Sequence, residues 1–516
     1  MTERGEANPT AGTPRPVPVK ERGSDELAAE GGATPVVADP DVTQADVAGG
    51  EATDAGAASV ARNSGIMAAG SVVSRVTGFV RTAAIAAAIG ALTVGNAYQV
   101  SYALPLQVYE LVLGGVLTSV LVPVLVKARK RDPDGGDGYT SRLLSLAVVV
   151  LGVTTVLAVL SAPLLTGIFA NADTTPEARG LITALSYFML PSIFFYGLSA
   201  LLAAVLNTRG HFAAPMWAPI VNNLVVISMA LVFLALSTGR LTAATIQPWQ
   251  VALLGGGTLL GVVSQVAALA PALRRVGYRF RFQLQLRGLG LRQLGRMAGW
   301  MFAYVAVSQV GVIVVLRLAS LNDTRGGPSA LVHNSAFILF MTVHGIVAVS
   351  VITALMPRMS AAAVDGKLGE VAAHLSQGAR LSAVILVPAT AAYLALGVPI
   401  AVAVFQWGNL GHDSATAIGY ALMAAAIGLV PFAISQMQIF AFYALGDTRT
   451  PALANIAVVA VKVVMALALY ALLPPAWTIV GLMTANTASY AVAVAVSAWL
   501  LRRRVGRLDG PRTAQT

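Results

Sequence analysis

The chain has 516 residues, of which 56% are hydrophobic and 11% are charged, and its mean hydropathy is +0.74. This composition excludes an ordinary soluble globular protein and is typical of a polytopic membrane protein. The sequence contains no cysteine, which excludes disulfides and thiolate metal sites. Its five histidines have no metal-ligand spacing and no catalytic signature is present, so we expect neither an enzyme nor a bound cofactor.

The formal net charge of +11 is distributed unevenly along the chain. Residues 1–62 carry eleven acidic and five basic side chains, a net charge of −6, so the remainder carries +17. This acidic tail has no apolar run, and we therefore expect it to be disordered. The basic side chains of the remainder lie mainly between apolar segments, so membrane topology explains them better than a nucleic-acid partner, which we do not expect.

Apolar windows after the tail predict twelve membrane-spanning helices. They cover residues 64–90, 97–126, 141–168, 180–206, 212–237, 249–273, 297–320, 329–356, 381–405, 414–444, 451–473 and 477–501. When the joints are assigned alternately to two sides, one side receives 22 lysines and arginines and the other receives three. The positive-inside rule therefore predicts that both termini, including a basic tail over residues 502–516, lie in the cytoplasm.

Two of the predicted cytoplasmic joints, residues 281–296 and 366–380, have amphipathic patterns. The sequence alone leaves open whether they lie on the membrane surface or are solvated linkers.

The two halves of the chain repeat one another. Matched residues recur at spacings of 234 to 236 positions, in the pairs Ser74/Ser308, Pro123/Pro357, Pro163/Pro399, Phe169/Phe405 and Pro215/Pro451. Each half contains six spans, an even number, so both halves have the same orientation in the membrane. A parallel repeat of this kind predicts two bundles around a central cavity. We expect one lobe over residues 63–276, a basic amphipathic linker over 277–296 and a second lobe over 297–501.

Five charged side chains fall well inside the predicted spans, more than one residue from either end, where charge is costly and marks functional sites. They are Arg75, Arg81, Glu110, Arg317 and Lys462. Arg75 lies roughly 18 Å along the first helix at ~1.5 Å per residue, too deep for easy access to water. For Arg81 and Arg317, extension of the side chain to the membrane surface is an equally good explanation. Four cations and one carboxylate predict a positive cavity that suits an anionic, phosphate-bearing cargo.

Seven segments carry a family resemblance. They are SRVTGFVR at 74–81, NAY at 96–98, LP at 104–105, ELVLGGVLTSVLVPVL at 110–125, LNTRGHFAAPMWAPIVNN at 206–223, SVITALMPRMS at 350–360 and FYALGDTRTP at 442–451. Together they resemble the MurJ (MviN) family, the lipid II flippases of the MOP exporter superfamily. The resemblance implies two MATE-like lobes around a cationic cavity. It also implies alternating access that moves undecaprenyl-pyrophosphate-linked peptidoglycan precursor to the outer leaflet of the bacterial plasma membrane.

The resemblance and the residue pattern together predict a substrate-binding set. The functional arginines of the family's first helix correspond to Arg75 and Arg81, which we expect to hold the pyrophosphate. Our hypothesis is that Glu110 pairs with one of them in the unloaded state. Ser74 shares a helix face with Arg81, and Asn96 adds a neutral hydrogen-bonding group.

Three positions depart from the family's pattern. Asn96 stands where many members have an aspartate, Glu110 where some have a cavity arginine, and Ile338 near the place of an arginine in helix eight. We expect Arg317 and Lys462 to replace the missing positive charge. The sequence predicts twelve spans, whereas well-studied members have fourteen, the last two forming a groove suggested to hold the lipid tail.

Lipid II transport is the function that the sequence favours, with lipid II, membrane lipids and peptidoglycan polymerases as expected partners. One alternative is another MOP-type exporter, either a polyprenyl-linked polysaccharide flippase or a multidrug antiporter. Drug antiporters usually need buried carboxylates, and Glu110 is the one acidic residue inside the predicted spans. A second alternative is a non-transporting scaffold for wall-synthesis enzymes, which truncation of residues 1–60 would inactivate.

Overall fold

The computed structural model describes residues 54–114, 125, 136–169, 174–237, 241–278, 280–285 and 291–505. Within these residues the regular structure is helical, as the sequence predicts. In chain order the α-helices are α1 (Asp54–Ile89), α2 (Thr93–Tyr109), α3 (Asp137–Leu160), α4 (Ala162–Gly167), α5 (Pro176–Met189), α6 (Ser192–Thr208), α7 (Ala213–Leu236), α8 (Pro248–Arg275), α9 (Leu291–Thr324), α10 (Ala330–Val364), α11 (Leu368–Phe405), α12 (His412–Ala426), α13 (Leu429–Ala444), α14 (Arg449–Leu472) and α15 (Thr478–Val505).

Local sequence signals set several helix starts. The Thr175 hydroxyl accepts a hydrogen bond from the amide of Ala178, and Pro176 occupies the first position of α5. The Ser329 hydroxyl likewise accepts from the amide of Leu331 at the start of α10. These caps satisfy amide groups that have no partner within the helix, a requirement that is strict in a membrane protein.

Ten segments of the described chain are long and apolar enough to cross a membrane, and the bent pair α12–α13 makes an eleventh. The predicted second span falls on α2 and on the π-helical turn Glu110–Gly114 that follows it. Most of its later residues lie outside the described part of the chain. The all-helical, multi-span architecture is therefore confirmed.

The two lobes repeat the same packing. In the first lobe α7 packs against both α1 and α8, and in the second lobe α14 packs in the same way against α9 and α15. The fourth span is interrupted in both lobes, between α5 and α6 and between α12 and α13. The bend between α12 and α13 is 50°. This correspondence confirms the parallel repeat predicted from the spacing of matched residues.

Three predictions about the segments between spans need correction. Helix α1 begins at Asp54, so residues 54–62 of the expected tail are helical, whereas residues 1–53 lie outside the described chain. Residues 368–380 continue into the ninth span as one helix, α11, and therefore form neither a separate surface helix nor a linker. Residues 280–285 are not helical, and within them the backbone amide of Gln283 donates a hydrogen bond to the Ser145 hydroxyl at 2.8 Å. The rest of that joint is helical from Leu291, residues 286–290 lying outside the described chain.

The helical bundle has two ends, which we call the clasped end and the basic end. The clasped end is where α1 ends and α2 begins, and it includes the 406–411 loop between α11 and α12. The basic end is the opposite one, where Arg209 follows α6 and Arg274 and Arg275 end α8.

Candidate functional site

The lobes meet along one set of helices. Helices α1 and α2 of the first lobe contact α10 of the second, α2 also contacts α9, and α1 also contacts α11. Residues on these helices can therefore change their partners if the lobes move relative to one another.

At the clasped end, a loop of the second lobe caps α1. The last carbonyl groups of a helix have no partner within it. The backbone amide of Asn409 donates to the carbonyl of Ala87 at 2.7 Å, and Nδ2 of Asn409 donates to the carbonyl of Ala88 at 2.7 Å. Gly408 has a φ of 60°, and a Cβ there would overlap the Ala87 carbonyl. The close approach of the two lobes here consequently requires glycine.

A second group of hydrogen bonds joins the lobes at the same end. Nδ2 of Asn96 donates to the carbonyl and hydroxyl oxygens of Ser320 at 3.2 and 3.1 Å, and Oδ1 accepts from the amide of Ala330 at 3.3 Å. The Ser329 hydroxyl donates to the carbonyl of Ala91. Asn96 therefore closes the lobe interface, and it does not line the cavity described next.

A cavity of about 310 Å³ lies between the lobes on the basic side of these bonds. Among the described residues that line it, Arg81 is the one charged side chain and none is acidic. The first lobe also contributes hydroxyl and amide groups, and the second lobe contributes one amide and mainly apolar groups. The lining residues are Gly78, Arg81, Thr82, Ile85, Tyr98, Gln99, Tyr102, Leu106, Leu331, Asn334, Phe337, Ile338 and Met341.

Arg81 is held by aromatic side chains. Its guanidinium carbon lies 4.7 Å from the ring centroid of Tyr102, which stacks on Tyr98 with a centroid distance of 6.2 Å. The hydroxyl of Tyr98 is fixed by a 2.8 Å hydrogen bond to Thr258. None of the ion pairs formed by the described residues includes Arg81. The face of the Tyr102 ring stabilises the cation without neutralising it, so its charge is available to an anion.

Arg75 occupies a different position, against the second lobe. A Cβ at Gly345 of α10 would overlap the Arg75 guanidinium, so the arginine lies directly on the α10 backbone. At ~1.5 Å per residue, Arg75 is roughly 21 Å from the end of α1, and Arg81 roughly 12 Å. Arg75 therefore lies across the lobe interface on the basic side of Arg81.

Two other predicted site residues lie outside the cavity lining. The Ser74 carbonyl accepts a hydrogen bond from Nδ2 of Asn223 in α7 at 3.2 Å, a contact within the first lobe. Glu110 is exposed at the start of the π-helical turn. Among the described residues it forms no ion pair with Arg75 or Arg81.

The two cations expected to compensate for Ile338 are not brought to the cavity either. Arg317 is exposed, between the buried side chains of Leu316 and Leu318. Lys462 is half-buried and packs along Gly311 of α9, within the second lobe. Ile338 itself lines the cavity, and none of the described second-lobe residues in the cavity wall is positively charged.

Several of the residues that define this site were not predicted from the sequence. Tyr98 and Tyr102 stand four positions apart on α2, a spacing that puts them on one face of the helix. That spacing is the sequence signal from which their shared role at the site could have been predicted. The roles of Gly345 and Asn409 depend on contacts between the lobes, which no local pattern indicates.

The chemistry available at the site is anion binding. Arg81 supplies charge and up to five N–H donors, and the surrounding hydroxyl and amide groups supply neutral hydrogen bonds. Among the described residues no group of three or more histidine, cysteine, aspartate or glutamate side chains could hold a metal ion.

Comparison with known proteins gives a consistent result. The family model "Lipid II flippase MurJ" matches residues 85–515, a range that begins just after Arg75 and Arg81. The chain is 29% identical over 392 residues to the lipid II flippase MurJ of Burkholderia cenocepacia, covering 74% of this chain and 72% of the relative. It is 26% identical over 400 residues to a probable lipid II flippase MurJ of Rhizobium meliloti, covering 77% and 73%.

Solved structures show the same fold. A lipid II flippase MurJ in an inward closed conformation superposes with a TM-score of 0.69 at 18% identity, covering 84% of this chain and 87% of that one. An inward-facing multidrug-resistance MATE transporter of the MOP superfamily superposes with a TM-score of 0.58 at 14% identity, covering 87% and 94%.

Proposed function

The chain belongs to the MurJ family of lipid II flippases, and on that premise we propose that it moves lipid II across the membrane by alternating access. It is a multi-pass protein of the bacterial inner membrane and a transporter rather than a catalyst. The cargo of its named relatives is lipid II, whose pyrophosphate is the anion that the Arg81 cavity suits.

We propose that the basic end faces the cytoplasm. The support is the distribution of 22 loop lysines and arginines on one side against three on the other. The clasped end then faces the outside, and the hydrogen bonds of Asn409 and Asn96 close the cavity in that direction. These bonds must break before cargo can leave toward the outer leaflet.

The observation that carries the proposal is the Arg81 guanidinium, which lines the cavity between the lobes without an ion pair among the described residues. A hydrogen bond to a charged group contributes about 1.5–3 kcal/mol. Arg75, on the basic side of Arg81, stands on the route from the cytoplasm. We propose that the pyrophosphate draws Arg75 off Gly345 and that both arginines then bind it. We propose that Glu110 pairs with one of the two arginines only in another state of the transport cycle.

The test is complementation of a bacterial strain depleted of its own lipid II flippase. We expect Arg81→Ala to reach the membrane at normal levels and to lower externally accessible lipid II at least about tenfold, since a charged hydrogen bond is lost. Arg81→Lys keeps the charge but loses the bidentate geometry, so an intermediate level is expected. Arg317→Ala is the matched control and should behave as wild type. Full activity of Arg81→Ala would overturn the role of Arg81.

The alternative functions have less support. A binding site for cationic drugs needs acidic groups, and the part of the chain that the structure describes contributes none to the cavity lining. A scaffold that acts through its acidic tail would lose function when residues 1–60 are removed, whereas a flippase should retain lipid II export after that truncation.

A further inference from the structure

A second, smaller cavity of about 20 Å³ lies at the clasped end. Both lobes contribute to it, so it is complete only while the lobes are in contact. Its polar lining residues are Thr93, Asn96 and Thr174 from the first lobe and Ser320, Asp323 and Thr324 from the second.

The carboxylate of Asp323 is poorly compensated at this position. It lies in the last turn of α9, where the free helix carbonyls carry partial negative charge and disfavour an anion. The nearby Arg325 is directed away, because its guanidinium donates to the carbonyls of Tyr470 at 2.9 Å and Leu473 at 3.3 Å. None of the ion pairs of the described residues includes Asp323, which lines the cavity together with Thr93 of the first lobe.

The groups around Asp323 are suitable ligands for a small cation. They are carboxylate, hydroxyl and amide oxygens, the atoms that hard metal ions prefer. Asp323 is the one carboxylate among the described lining residues, and a single carboxylate balances one positive charge, which favours a monovalent over a divalent ion. A volume of about 20 Å³ accommodates one occupant the size of a water molecule.

We propose that one monovalent metal cation binds between Asp323 and Thr93, across the lobe interface at the clasped end. The site goes beyond lipid II transport and does not depend on the identity of the cargo. A ligand stabilises the state to which it binds more tightly. Since opening of this end separates Thr93 from Asp323, the cation favours the clasped state and opposes outward opening.

The test is thermal unfolding of the purified full chain in detergent at constant pH and ionic strength. Sodium chloride and potassium chloride are each compared with choline chloride. We expect one of the two metal salts to raise Tm by about 2 °C or more, because a ligand that binds the folded state alone stabilises it. The comparison of the sodium and potassium measurements identifies which of the two ions binds at the site.

Variants assign the effect to the site. Asp323→Asn should abolish the rise in Tm, and Thr93→Val should weaken the apparent affinity for the cation about tenfold. Asp413→Asn, an exposed acidic residue of α12, is the matched control and should keep the full response. Absence of a cation response in the wild-type chain would overturn the proposal. So would an undiminished response in folded Asp323→Asn.

Discussion

The two lobes share a pattern of hydrogen bonds between their first and fifth spans, but they differ in the charged groups that they carry. In the first lobe, Nδ2 of Asn223 donates to the Ser74 carbonyl at 3.2 Å and to the Thr77 hydroxyl at 3.0 Å. In the second lobe, Nδ2 of Asn455 donates to the Tyr304 carbonyl at 3.1 Å and to the Ser308 hydroxyl at 2.8 Å. Each bond fixes the fifth span of its lobe to the first, within an apolar environment in which an unpaired amide would be costly.

The two lobes differ in the charged residues at corresponding positions. The residue 234 positions after Arg81 is Val315, which is 3% exposed and belongs to the hydrophobic core. The cavity cation comes from the first lobe, and the second lobe provides Asn334 and apolar groups such as Ile338 and Met341. The repeat therefore preserves the scaffold, while anion recognition is concentrated in α1 and α2.

The first prediction, with the largest expected effect, concerns a variant in which the cavity charge is moved from the first lobe to the second. The double variant Arg81→Ala with Ile338→Arg places a guanidinium on the opposite wall of the same cavity. If charge within the cavity is what transport requires, this variant should export about tenfold more lipid II than Arg81→Ala alone. External lipid II is measured at matched membrane levels of protein. No recovery would mean that the cation must be held by Tyr102 in the first lobe.

A second prediction concerns the contact between the lobes at the clasped end. Asn409→Ala removes the bond to Ala88, worth about 1 kcal/mol, so the outward-open population should rise about fivefold. The natural chain lacks cysteine, so a single Met341→Cys reporter can be labelled with a membrane-impermeant maleimide. His412→Ala is the matched control, because His412 bonds Gln406 within its own lobe. Equal labelling rates for the two variants would contradict the role of Asn409.

The third prediction tests the hydrogen bonds that the two lobes have in common. Asn223→Ala and Asn455→Ala should each lower the free energy of unfolding by about 1 kcal/mol, because each removes an equivalent bond. Thermal or denaturant unfolding of the purified protein measures both. Ser228→Ala, whose hydroxyl bonds only the local Leu224 carbonyl, should change stability less. A large difference between the two asparagine variants would show that the lobes do not use these bonds alike.

Much of the fold could be predicted from the sequence because apolar length and loop charge are direct consequences of the bilayer. The helix boundaries were less accurate. Helix α1 starts at Asp54 and α11 starts at Leu368, since polar segments next to a span can continue its backbone hydrogen bonding without an apolar signal. The breaks after Met189 and Ala426 also lie within apolar runs that read as single spans.

The candidate site was less predictable for a different reason. A charge inside an apolar run indicates depth, but the direction of its side chain depends on how the helix is rotated against its neighbours. Arg81 and Arg317 both occur in apolar runs, yet one lines the cavity and the other is exposed. Contacts across the lobes, such as Arg75 on Gly345, require the assembled fold.

The most direct test of the central claim is whether the wild-type chain rescues a bacterial strain depleted of its own lipid II flippase. Externally accessible lipid II is scored in the same cells. We predict that growth returns and that lipid II reaches the outer leaflet at a level near that of the native flippase. Normal expression in the membrane without lipid II outside would contradict the account.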